Sequence, residues 1–75
     1  MIYPGDLCIA LRNIVLLKDK RMVNQYHGII FAKSFFIVIS IENLKFNMCS
    51  LYVMSSSTQK SGWIYDINDS FKRIC

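Results

Sequence analysis

The stretch Gly62-Trp63-Ile64-Tyr65-Asp66-Ile67-Asn68-Asp69-Ser70-Phe71-Lys72-Arg73-Ile74-Cys75 sets the expected architecture. Gly62–Tyr65 alternates with period two, so it reads as a strand with Ile64 directed one way and Trp63 and Tyr65 the other. Asp66, Asn68, Asp69 and Ser70 have short polar side chains that bond nearby backbone groups, which suits one turn of tight helix. Phe71–Ile74 then reads as a short final strand.

Working back along the chain, Ser56–Ser61 is a polar loop. Before it, Met48–Ser55 is a strand with Cys49, Leu51 and Val53 on one face and Met48, Ser50, Tyr52 and Met54 on the other. Two strands joined by a polar turn predict an antiparallel hairpin. Glu42–Asn47 is a polar connection. Phe35–Ile41, FFIVISI, is the strongest strand in the chain. Its residues are nearly all apolar, Ser40 being the exception, which predicts a central strand covered on most of both faces. Ile39 and Ile64 are both expected to point into the core.

Gly28–Ala32 is a further strand, and Lys33-Ser34 interrupts it as a tight turn or a bulge. Near the start, Pro4-Gly5-Asp6 is a turn signal. It leads into Leu7–Leu11, where Leu7, Ile9 and Leu11 form a strongly apolar side and Cys8 and Ala10 the other. Arg12–Tyr26 has two readings, an irregular hairpin with its tip at Lys18–Arg21 or one or two helical turns. The hairpin is favoured, because Ile14 and Val15 are β-branched and no N-cap residue precedes a helical stripe. Five or six short strands with brief connections predict an all-β fold. The expectation is a small five- to six-stranded antiparallel barrel over residues 1–75, with one short helical turn before the last strand.

This order of elements resembles the SH3-like small barrel, from Pro4 to Ile74. In that family a glycine-led strand runs into a single helical turn and then a closing strand. Gly62-Trp63-Ile64, Asp66–Ser70 and Phe71–Ile74 resemble these three parts. By the same resemblance Arg12–Tyr26 is the long loop after the first strand and Ser56–Ser61 the distal hairpin. Pro4-Gly5-Asp6-Leu7 together with Gly62-Trp63-Ile64 is also similar to small barrel proteins of tailed bacteriophages. That implies a viral accessory or virion-associated protein, located in the host cytoplasm or the virion. The chain departs from the proline-rich-peptide readers of the family. It lacks their Ala-Leu-Tyr-Asp-Tyr start, Trp-Trp pair and Pro-Ser-Asn-Tyr ending, and its first loop is basic, at Arg12, Lys18, Lys20 and Arg21.

Composition bounds the function. The chain has 75 residues, 53% of them hydrophobic, with only 3 glycines and 1 proline, which argues for a packed core rather than disorder. The net charge of +4 favours anionic partners or simply keeps the chain soluble. No apolar run approaches the roughly 20 residues of a membrane-spanning helix. The opening MIYPGD lacks a basic stretch followed by an apolar one, so a signal peptide is not expected and a cytoplasmic protein is the default. Three cysteines, Cys8, Cys49 and Cys75, are odd in number and widely spaced. With His27 as the single histidine they suggest neither a disulfide framework nor a zinc site. Cys8 and Cys49 are expected in or near the core, Cys75 as a free thiol, and His27 as an ordinary strand residue. The five acidic residues are scattered over turns, and no phosphate-binding loop or nucleophile motif is present. The expectation is a non-enzyme without metal or cofactor.

The candidate site is aromatic. Trp63 and Tyr65 share a face, Tyr52 can lie on the neighbouring strand, and Tyr26 at the end of the long loop. Such residues form either an interface with a protein partner or a second minor core under that loop. The alternative is nucleic-acid binding, with Lys18, Lys20 and Arg21 in the loop and Lys72 and Arg73 at the C-terminus on phosphates, and the aromatics, beside Lys60, stacking bases. An exposed edge strand would make a homo-oligomer easy.

Overall fold

The computed structural model describes residues 2–18, 26–43, 49–65 and 70–74; for Tyr26, His27, Asn43 and Cys49 it describes the backbone alone. Seven strands follow one another: β1 (Leu7–Ala10), β2 (Ile14–Leu17), β3 (Tyr26–Ile30), β4 (Phe35–Asn43), β5 (Cys49–Ser55), β6 (Ser61–Tyr65) and β7 (Phe71–Arg73). No helix occurs among the described residues. All pairings are antiparallel, in the order β3-β2-β6-β5-β4-β1-β7. The sheet curls into an open half-barrel.

Chain connectivity forces the curl. Only Leu11, Arg12 and Asn13 join β1 to β2, yet β4, β5 and β6 lie between those strands in the sheet. In a flat sheet they would stand about 19 Å apart. The link from Ala10 to Ile14 reaches about 14 Å at most. The sheet must therefore bend until the two strand ends meet. Backbone bonds tie the end of β1 to the β3–β4 corner: Lys33 N donates to Ala10 O at 2.7 Å and Ala10 N to Ser34 O at 2.9 Å. The Asn13 side chain joins them, its Oδ1 accepting from Ala32 N at 2.9 Å.

Two turns do what their residues predict. Pro4-Gly5 occupies the centre of a turn closed by Asp6 N on Tyr3 O at 3.1 Å, with Gly5 at φ 93°. Proline supplies the second turn position and glycine tolerates the left-handed third. Ala32-Lys33 forms the corner between β3 and β4, closed by Ser34 N on Phe31 O at 3.0 Å. Of the two readings of Lys33-Ser34, the tight turn is the one formed. The predicted hairpin across Ser56–Lys60 is also present, with Met54 opposite Ser61 and Val53 opposite Gly62.

The concave face is the core. Phe36 and Val38 of β4, Leu51 and Val53 of β5, Leu16 of β2 and Ile64 of β6 are sealed from solvent and pack in one cluster. Each such side chain contributes about 1.5–3 kcal/mol of apolar burial. Phe71 of β7 closes the cluster with its ring edge-on to Phe36, centroids 5.3 Å apart.

The structure corrects five expectations. The strand count is seven, not five or six, because Ile14–Leu17 is a full strand, paired with β3. The sheet is open rather than a closed barrel, with β3 and β7 at its edges. Ile39, expected to point into the core, is exposed on the outer side; in β1 the core side is Cys8 and Ala10, with Leu7 and Ile9 half-buried on the other. Cys8 lies opposite Phe36, beside the Phe36–Phe71 ring pair, where a small side chain suits close packing. Finally, β4 is central but covered on one face only. Cys8 is buried as expected. The expected helical turn at Asp66–Ser70 falls, except for Ser70, outside the described residues, as do Cys75 and the side chains of Cys49 and His27.

Candidate functional site

Tyr52, Trp63 and Tyr65 come together on the convex outer face. Along β6 the side chains alternate, with Gly62 and Ile64 buried and Ser61, Trp63 and Tyr65 half-buried on the other side. Register places Tyr52 of β5 directly opposite Trp63, and their rings sit 5.1 Å apart at a tilt of 55°. The Tyr52 hydroxyl is 2.9 Å from the Ser61 hydroxyl. One hydrogen bond and one ring contact thus hold Tyr52 at both ends. Leu17 of β2 lies beside Trp63 on the next strand. It is buried but does not belong to the main core cluster. A break in register between Leu16 and Leu17 lets both leucines be buried in succession. The backbone of Tyr26 in β3 pairs with Leu17 on its far side from Trp63. The Tyr26 side chain lies outside the described residues.

More apolar surface stands beside this cluster than the aromatics supply. Phe35 is 42% exposed, Ile37 46%, Ile39 43% and Met54 44%. Ile37 lies opposite both Met54 of β5 and Leu7 of β1, and Phe35 lies opposite Ile9. Leu7 and Ile9 are half-buried, and Ile74 beyond β7 is exposed. The result is a continuous apolar strip across β5, β4, β1 and the end of β7. Sequence reasoning missed Phe35, Ile37, Ile39 and Met54 as surface residues. The available signal was chain length, since so short a chain has too little material to cover both faces of its own sheet.

The basic candidates are placed differently. Lys18 directly follows β2, whereas Lys72 and Arg73 lie on β7, and four strands separate β2 from β7 in the sheet order. Lys72 is opposite Ile9 and shares the outer face. Arg73 is opposite Cys8 and points the other way, where its guanidinium reaches Asp6 at 3.8 Å. Lys60 lies at the polar hairpin, its stem close to Gly28. Lys20 and Arg21 lie outside the described residues.

Among the described residues, no group of three His, Cys, Asp or Glu side chains could hold a metal ion. Nor is any helix among them long and apolar enough to cross a membrane. No protein-family model matches the chain, and no curated protein or solved structure matches it.

Proposed function

We propose that this chain is a non-catalytic protein–protein interaction module built on a small SH3-like half-barrel, and that it binds through its outer face. The observation that carries the reading is the apolar strip of Phe35, Ile37, Ile39 and Met54 beside the Tyr52–Trp63 pair. Contiguous exposed apolar surface of this kind on a small domain marks an interaction site. The aromatic pair then acts as a rigid border rather than the centre of the interface. The resemblance to small barrels of tailed bacteriophages supports a virion-associated or accessory setting. Nucleic-acid binding has weaker support, because Lys72 and Arg73 alternate to opposite faces and Arg73 is engaged by Asp6.

Two measurements test the reading. Trp63 is the single tryptophan, so its emission reports on the outer face directly. Titration with single- and double-stranded DNA at low salt is expected to leave that emission unchanged. Quenching that disappears on adding salt would replace this reading with the nucleic-acid one. A photo-cross-linking residue at position 37 is expected to give adducts with protein; adducts with nucleic acid or lipid alone would overturn it.

A further inference from the structure

The charges of this chain are unevenly placed. Arg12 and Lys33 stand where the β1–β2 link meets the β3–β4 corner. Three hydrogen bonds hold that meeting point: Lys33 N to Ala10 O at 2.7 Å, Ala10 N to Ser34 O at 2.9 Å, and Ala32 N to Asn13 Oδ1 at 2.9 Å. A fourth, from Leu11 N to Ser70 O at 2.8 Å, draws in the start of β7, two residues before Lys72. Arg12, Lys33 and Lys72 are all exposed. The described acidic residues lie elsewhere. Asp6 precedes the far end of β1 and pairs with Arg73, and Glu42 is near the far end of β4. The corner is therefore cationic, with no carboxylate of its own among the described residues.

Lys33 is also where the backbone is poorly suited to a side chain. Its φ is 70°, in the left-handed region that glycine occupies at least cost. Among the described residues nothing offsets that cost, because the Lys33 ammonium makes no hydrogen bond or ion pair there. A strained residue whose side chain does nothing for the fold points to a use outside it.

The anion that fits is a carboxylate on a peptide. Leu11 and Phe31 flank the cations and are 51% and 55% exposed. A nucleic-acid strand calls for several aromatic faces on which successive bases stack, and the corner loops carry Phe31 alone. A segment that mixes carboxylates with apolar side chains meets both features at once, through ion pairs with the cations and apolar contact with Leu11 and Phe31. Phe35, the first residue of the outer strip, is two residues from Lys33, so strip and corner are continuous.

We infer that this corner binds an acidic, partly apolar segment of the partner protein, with Lys33 as a contact residue. The inference rests on the reading of the chain as a protein-binding module and names the chemistry of its partner.

The test is fluorescence anisotropy of a labelled peptide of alternating glutamate and leucine, titrated with the full chain at low salt. The wild type should bind it and leave the lysine–leucine counterpart unbound. Lys33→Gly should weaken binding about fivefold, the upper range for one exposed ion pair. Its melting temperature should be no lower than that of the wild type, because glycine relieves the φ. Lys33→Arg, which keeps the charge, should bind as the wild type does. Gln59 is the other described non-glycine residue at positive φ, at 57°, and is uncharged. Gln59→Gly gives the same backbone relief and should leave binding unchanged. Full binding by Lys33→Gly, or an equal loss in Gln59→Gly, overturns the inference. So does a wild type that fails to bind the peptide at millimolar concentration. If a cross-linking residue at position 37 then still gives protein adducts, the broader reading stands and only the corner is dismissed. Oligothymidylate that binds in place of the peptide, and is weakened by Lys33→Gly, overturns the inference in favour of nucleic acid; adducts with nucleic acid alone at position 37 would remove the protein-module reading as well.

Discussion

The two faces of β4 are made of the same kinds of residue and have opposite surroundings. Phe36 and Val38 are sealed inside the half-barrel, while Phe35, Ile37 and Ile39 stand at its surface. Nothing in their chemistry separates the two sets. Their facing follows the neighbours: Cys8 and Ala10 on β1 and the Phe71 ring pack against the inner set. β6 behaves otherwise. There a buried glycine and isoleucine alternate with serine, tryptophan and tyrosine, and the alternation itself states which side is inside. Polarity patterning therefore encodes orientation only where one face is meant for water.

Charge insertion is the strongest way to break this comparison. Ile64 is 1% exposed, so Ile64→Asp buries a carboxylate with no partner. The expected loss exceeds about 4 kcal/mol, enough to unfold a domain of this size. The same change at Ile39 was expected from the sequence to do the same, but Ile39 faces outward. Ile39→Asp should keep the sheet and change stability by less than about 1 kcal/mol, measured by urea unfolding at low protein concentration, where self-association contributes little. A native melt for Ile64→Asp, or an unfolded Ile39→Asp, would reverse the assigned faces.

Truncation of adjacent phenylalanines gives a smaller but cleaner contrast. Phe36→Ala removes a ring that packs edge-on to Phe71 and should cost about 3–5 kcal/mol. Phe35→Ala removes a partly exposed ring on the outer face and should cost clearly less, about 1 kcal/mol. Equal losses would mean that the outer strip is packed even in the isolated chain.

These contrasts also show what was legible. Strand positions from Phe35 onward, the Ser56–Lys60 hairpin, the turn at Pro4-Gly5 and the inward Ile64 follow from local chemistry, and the structure has them. Tyr52 on the strand beside Trp63 was legible too; that it lies directly opposite is set by the hairpin register. What was not legible depended on distant strands. Leu7 and Ile9 look like core residues until β4 and β7 set Phe36 and Phe71 against the other side of β1. Ile14–Leu17 gains its status as a strand from β3 and β6, not from its own non-alternating sequence. The outer strip was hidden for the same reason, since an unbroken apolar run signals a strand but not its facing.

Two serines of β5 sharpen the comparison at the smallest scale. Ser50 and Ser55 are both fully buried but five residues apart, so they belong to opposite faces. The Ser55 hydroxyl lies 3.2 Å from that of Ser57, in the loop it helps to close. The Ser50 hydroxyl, between Glu42 and Tyr65 in the register, has no hydrogen-bond partner among the described residues. Removing a bonded hydroxyl loses the bond and leaves its partner to find water, whereas removing an unbonded one relieves a desolvation cost already incurred. Ser55→Ala should therefore lower stability by about 0.5–1.5 kcal/mol in urea unfolding, while Ser50→Ala should leave it unchanged or raise it by up to about 1 kcal/mol. If Ser50→Ala proved the more damaging, its hydroxyl would have to be bonded within the outer face, which would then be a second polar-anchored layer rather than a surface awaiting a partner.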